Sequence, residues 1–219
     1  MYASLYPEQV AGMVLVDAGH EEQLTRLPPE YIQVNQQQQR YLGVMALLAR
    51  FGVLRSLGQS AGEQALPPHI RLLPADVQAI YVTLMSHPSY FEATLGELEG
   101  LEETCHQVSD LGDLGDLPLV VLTAENSMKV ETLQAIGLPA SLSRSEIYIL
   151  GMKVETLQAI GLPADFPIAQ IQQTWLELQD ELASLSTDST HLIAEGSGHA
   201  IHLDRPDLVV EAVERLLAP

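Results

Sequence analysis

Three short apolar runs limit what this chain can fold into: Val10–Val16 (VAGMVLV), Leu117–Ala124 (LPLVVLTA) and the weaker Thr190–Ala194 (THLIA). Near-continuous, β-branched runs without polar alternation are the pattern of strands buried on both faces of a parallel sheet. The first ends in Asp17-Ala18-Gly19 and the third in Glu195-Gly196-Ser197-Gly198, both rich in turn-forming residues. Helical patterns separate the three, which predicts an α/β fold and excludes an all-β one.

The spacing between the runs is uneven. Residues 24–116 read almost wholly as helix. Pro28-Pro29 open a helix whose apolar positions Tyr41, Val44, Met45, Leu48 and Phe51 recur every three or four residues. A second helix begins near Pro74 and carries Val77, Ile80, Tyr81 and Leu84; a third follows Pro88 and runs toward Val108. An ordinary crossover between parallel strands needs one helix, so this is an insertion large enough to cover something. The last pattern, Pro206–Leu217, places Leu208, Val209, Ala212, Val213, Leu216 and Leu217 on one face, which should pack on the sheet. MKVETLQAIGLPA occurs at Met128–Ala140 and again, identically, at Met152–Ala164. Solenoid repeats drift in sequence and recur more than twice, so residues 128–151 read as a duplicated loop insertion. The expected organisation is a core from residues 1–23 and 117–219, with residues 24–116 as a helical insertion.

Composition removes several classes of function. With 219 residues, 47% hydrophobic and 18% charged, the chain is globular and long enough to bury a core without staples. Ten Lys+Arg against 29 Asp+Glu leave a net charge of −19, a field that repels a phosphate backbone or an anionic bilayer. No nucleic-acid partner and no membrane partner are expected. The most apolar long window, Leu42–Leu57, contains Arg50 and Arg55 and falls short of the roughly 20 residues of a spanning helix. The first residues form no secretory signal, which leaves the cytoplasm as the default compartment. The single cysteine, Cys105, excludes an internal disulfide and a multi-thiolate metal site. His199 and His202 form an H-x-x-H pair without a third ligand at a recognisable spacing, so neither a metal nor another cofactor is expected.

The strongest local signal is Gly196-Ser197-Gly198-His199-Ala200-Ile201-His202-Leu203-Asp204-Arg205-Pro206, after a strand and before an amphipathic helix. Here the chain resembles the α/β-hydrolase fold family, whose histidine sits in such a Gly-His loop past the last main strand. YASLYPEQVAGMVLVDAGHEEQ is similar to the helix end and strand that follow that family's nucleophile elbow, and PLVVLTAE to the next strand. The resemblance covers essentially the whole chain but only the C-terminal part of the family's fold. It implies a partial α/β-hydrolase core, parallel strands 6 to 8, with residues 24–116 as the helical cap. It also implies serine-type hydrolysis of an ester or related small apolar acyl substrate, with His199 as general base. Such chemistry needs a nucleophile, an acid that orients the imidazole, and an oxyanion hole. The family places its nucleophile and oxyanion hole upstream of the first strand seen here, so the chain is expected to be truncated and inactive alone. The alternative is a non-catalytic pseudoenzyme or a partner-binding α/β module.

A literal G-x-S-x-G, Gly58-Gln59-Ser60-Ala61-Gly62, lies after a helical pattern and after the strand it should precede, which argues against Ser60 as nucleophile. Ser197 adjoins the histidine within its own loop. For the acid, the family's commonest position falls on Ser127, which cannot serve. Members whose acid follows the preceding strand point to Asp17, at the C-terminal end of a parallel strand where such sheets hold their sites. Glu125 is the alternative, with Glu131 and Glu155 in the duplicated segment, and Asp17 could equally cap the turn at Gly19-His20. His20-Glu21-Glu22 reads as a solvated acidic entrance, Cys105-His106 as a buried thiol beside a helical histidine, and Gln36–Gln39 as a solvated helix face. Truncation would leave Val10–Val16 as an apolar edge strand, prone to aggregation or to dimerisation.

Overall fold

The computed structural model describes residues 2–56, 73–109, 112–125 and 166–217. Ser60 with its flanking glycines, Ser127, Glu131, Glu155 and the duplicated segment lie outside these residues. The described residues fall into two compact units, one taking those up to Pro28 together with 102–125 and 166–217, the other taking those from Pro29 to Leu101.

The first unit is a mixed α/β layer structure. Its strands are β1 (Met13–Val16), β2 (Leu119–Ala124) and β3 (Ser189–Ala194), in spatial order β1-β2-β3 and all parallel. Met13 pairs with Leu119, and Leu119 in turn with Ser189. Each strand starts later than or close to the start of its apolar run. In the first run Gly12 passes close to its neighbours: a Cβ there would lie 3.0 Å from the Pro118 carbonyl oxygen and 3.1 Å from the Leu216 side chain.

Period-two alternation sorts the central strand between two helices. Leu119 and Val121 pack with Leu182 and Ala183 of a helix spanning Ile168–Ser184, joined by Met13 and Leu15 of β1. Val120, Leu122 and Ala124 face the other way, onto Ala212, Leu208, Val209 and Leu216 of the helix Pro206–Leu217. All six residues of β2 are buried. Side chains of this size contribute about 1.5–3 kcal/mol each when fully removed from water, which makes β2 the axis of the unit. The edge strand β1 is only half-buried at every position, although its composition predicts burial on both faces. The helix Pro206–Leu217 buries the expected face in part: Val213 and Leu217 remain exposed.

Numbered in chain order, the remaining elements of this unit are α1 (Tyr2–Leu5), α2 (Gln23–Arg26), α6 (Leu101–Ser109), α7 (Ile168–Ser184), α8 (Ile201–Asp204) and α9 (Pro206–Leu217). The second unit holds α3 (Pro29–Arg50), α4 (Ala75–Met85) and α5 (Pro88–Glu99). The pattern expected to run from Pro88 toward Val108 is broken at Gly100 into α5 and α6. The buried face of α3 also differs from the expected one. Leu42, Ala46 and Ala49 pack against Phe91 of α5, while Tyr41, Val44 and Phe51 are exposed. Met45 and Tyr90 pack beside this contact, and Tyr41 and Phe51 lie outside it. On α4, Ile80 and Leu84 are exposed, and Tyr81 reaches Tyr90 with its hydroxyl at 3.1 Å. No helix of the described residues is long and apolar enough to cross a membrane.

Candidate functional site

The site stands at the C-terminal ends of the three strands. Immediately after β1, Asp17 takes a left-handed backbone (φ 45°), a conformation that aspartate tolerates better than most residues with a Cβ. Its N–H stays on the ladder, donating to the Leu122 carbonyl at 2.6 Å. The turn folds its side chain over the end of β2, where it is 1% exposed. Three elements supply donors to the carboxylate. Oδ1 accepts the Ala124 N–H at 3.1 Å and the Trp175 Nε1–H at 2.9 Å, and Oδ2 meets His199 Nδ1 at 2.8 Å. A buried carboxylate is tolerated only when hydrogen bonds replace its hydration, and this one is supplied from β2, α7 and the loop after β3.

His199 is held by a loop pinned on both sides. Gly196 adopts φ 72°, which a glycine reaches without steric cost, and its N–H donates to Glu125 Oε2 at 2.8 Å. The N–H of Ser197 donates to the Ala194 carbonyl, and the N–H of Gly198 donates to Asp204 Oδ2 at 2.8 Å. Ile201, fully buried beside Val120 and Leu122, anchors the far end. The Nδ1 of His199 therefore faces a group that accepts hydrogen bonds when ionised, which assigns the proton to Nδ1 and leaves the Nε2 lone pair unprotonated. The His199 side chain is 66% exposed, and no described residue bonds to Nε2. The hydrogen bond that Nδ1 donates to Asp17 raises the imidazole above its usual pKa, partial burial opposes this, and the Asp17 charge adds to the rise.

The other sequence candidates are placed as follows. Glu125 is exposed and braces the Gly196 backbone, away from His199. The Asp17 carboxylate serves Ala124, Trp175 and His199. Ser197 is fully buried and its hydroxyl donates to the Gly198 carbonyl, so it is turned from the imidazole. His202 is exposed on α8. Cys105 is half-buried on α6, its thiol 3.9 Å from the His20 carbonyl and raised in pKa by burial. His106 beside it is exposed.

Expected to line a solvated entrance, His20 is instead 5% exposed, and its Nδ1 accepts the Glu22 N–H at 3.0 Å. His20, Glu22 and Glu181 bring potential ligand atoms within 4.8 Å of one another. Arg26 already serves this group. Its guanidinium lies 2.6 Å from both Glu181 oxygens and 3.4 Å from Glu22, and the hydrogen bond holds the Glu181 carboxyl below its ordinary range. With both Glu181 oxygens taken by Arg26, the group is an ion-pair cluster around the guanidinium.

Sequence reasoning missed Trp175. A signal was present: Ile171, Trp175, Leu178 and Leu182 recur at spacings of four, three and four, the period of a helix face, and three of them are buried core. One turn past Trp175, Gln179 is fully buried and donates to the Ala18 carbonyl at 2.7 Å. Comparisons with protein-family models, with curated proteins and with solved structures find no match to this chain.

Proposed function

We propose that this chain carries the base and acid of a serine-type hydrolase of the α/β-hydrolase kind, acting on an ester or related small apolar acyl substrate. The observation that carries the reading is the 2.8 Å contact between a buried Asp17 carboxylate and Nδ1 of a largely exposed His199. In this reading β1, β2 and β3 correspond to strands 6 to 8 of that fold, and residues 24–116 to its cap. Nε2 of His199 takes the proton of an attacking hydroxyl, and Asp17 stabilises the imidazolium that results. The same nitrogen then returns the proton to the leaving group. No described hydroxyl or thiol is bonded to Nε2, so the nucleophile and the oxyanion hole are assigned outside the described residues.

The test is p-nitrophenyl butyrate hydrolysis and fluorophosphonate labelling of the protein made from its complete reading frame. His199→Ala and Asp17→Asn should each lower kcat by about 10³–10⁴-fold, while Glu125→Gln and Ser60→Ala leave it unchanged. Equal turnover in wild type and His199→Ala would overturn the reading. Absence of both turnover and label would replace it with the non-catalytic module, and a label mapped to Ser60 would relocate the nucleophile.

A further inference from the structure

We propose that Trp175 is the positioning residue of the Asp17–His199 pair, an inference that rests on reading that pair as acid and base. A carboxylate joined through a single bond rotates readily, and a base needs it fixed in one plane. Two donors on one oxygen achieve this here. The Ala124 N–H approaches Oδ1 from the end of β2 and the Trp175 Nε1–H approaches it from α7, which leaves Oδ2 for His199. The backbone donor is set by the sheet, whereas the indole is a donor contributed by a side chain.

The indole is itself anchored. Ile171, Leu178 and Leu182 fix α7 in the core, and Gln179, four residues on from Trp175, holds the Ala18 carbonyl. One helix thus grips the Asp17 side chain and the peptide that follows it. A left-handed residue of this kind persists only where its surroundings over-determine it. Trp175 is also the chain's single tryptophan, so its emission reports on the surroundings of this indole, the Asp17 carboxylate among them.

The test needs no substrate. The His199 imidazole is titrated by NMR in wild type, Asp17→Asn and Trp175→Phe, and Trp175 emission is followed across the same pH range. Asp17→Asn should bring the His199 midpoint down, and Trp175→Phe should move it part of the way. The emission should change with the midpoint of His199. Where Trp175→Phe fails to fold, benzothienylalanine at position 175 keeps the ring and removes only the N–H. An unchanged His199 midpoint in a folded Trp175 variant would overturn the proposal while the Asp17→Asn shift upholds the pair. An unchanged midpoint in Asp17→Asn would overturn the pair, and the proposal with it.

Discussion

Two aspartate–histidine pairs of the same length sit in this unit, and their burial is inverted. His199 Nδ1 lies 2.8 Å from Asp17, and His191 Nδ1 lies 2.8 Å from Asp180. In the first pair the carboxylate is 0% exposed and the imidazole 66%; in the second the imidazole is 19% exposed and the carboxylate 73%. The second nitrogen of each ring differs in the same sense. That of His199 bonds to no described residue, while His191 Nε2 meets the hydroxyl of Thr123, a fully buried residue, at 2.7 Å. A short aspartate–histidine contact therefore does not identify a base. A base needs the acid inside, where its hydrogen bonds are strong, and the free nitrogen outside, where a substrate can reach it.

The strand alternation explains why the second pair exists. Thr123 and His191 lie on the α7 face of β2 and β3, where Gln179 and Asp180 meet them. Gln179 Oε1 is 3.5 Å from the Thr123 hydroxyl, and Gln179 Nε2 holds the Ala18 carbonyl. Both ring nitrogens of His191 thus have partners, Thr123 and Asp180, and the comparison breaks if the two pairs respond alike to substitution.

The largest effect is expected at Asp17. Asp17→Ala leaves the buried Ala124 N–H and the half-buried Trp175 N–H without their acceptor, at about 1–3 kcal/mol for a fully buried group. Urea unfolding should show a loss of about 3 kcal/mol. A loss below about 1 kcal/mol would mean that the carboxylate is not the hub drawn here. His191→Ala comes next. It removes one partner of Thr123 and should cost about 1–2 kcal/mol while leaving the His199 titration where it is in wild type. A shifted His199 midpoint would show that the two pairs are coupled through Gln179.

Solution pH tests the first pair directly. Asp17 raises the pKa of His199 in the folded state, so the protonated imidazole stabilises the fold. That contribution is complete below the unfolded histidine value and is lost as pH rises through the higher folded value. The stability difference between wild type and His199→Gln should therefore shrink across that window. Exposure of the ring keeps the change small, and a difference that grows with pH would reverse the assigned direction.

Half of this arrangement was legible in the sequence. Asp17 and His199 stand directly after apolar strand runs, where residue type and turn chemistry point to a site, and the parallel order followed from the same runs. The remainder depends on distance and shape. Trp175 and Gln179 act on residues 158 and 161 positions away, a pairing that no local pattern encodes. On α3 the recurrence of Tyr41, Val44, Met45, Leu48 and Phe51 marks a helix, but the contact with Phe91 is made by Leu42, Ala46 and Ala49 with Met45 packed beside them, a choice of face that depends on the partner helix. Glu125 and Asp17 were left as alternatives because both follow strands. The left-handed turn at Asp17, which sends one carboxylate inward, is a backbone property that the sequence allows but does not dictate.

The smallest expected effect is the sharpest control on the inverted pairs. Asp180 is exposed, and water competes for its carboxylate, so its contact with His191 belongs to the surface class that contributes little. Asp180→Asn should change unfolding free energy by less than about 0.5 kcal/mol and leave the His199 titration unmoved. Asp17→Asn makes the same chemical change in an aspartate at the same distance from its histidine. Asp17 also serves Ala124 and Trp175, so the difference between the two effects measures what a buried, multiply bonded position adds to the contact with histidine. Equal effects would mean that the buried position of Asp17 confers nothing, and the distinction between a base pair and a structural pair would fail with it.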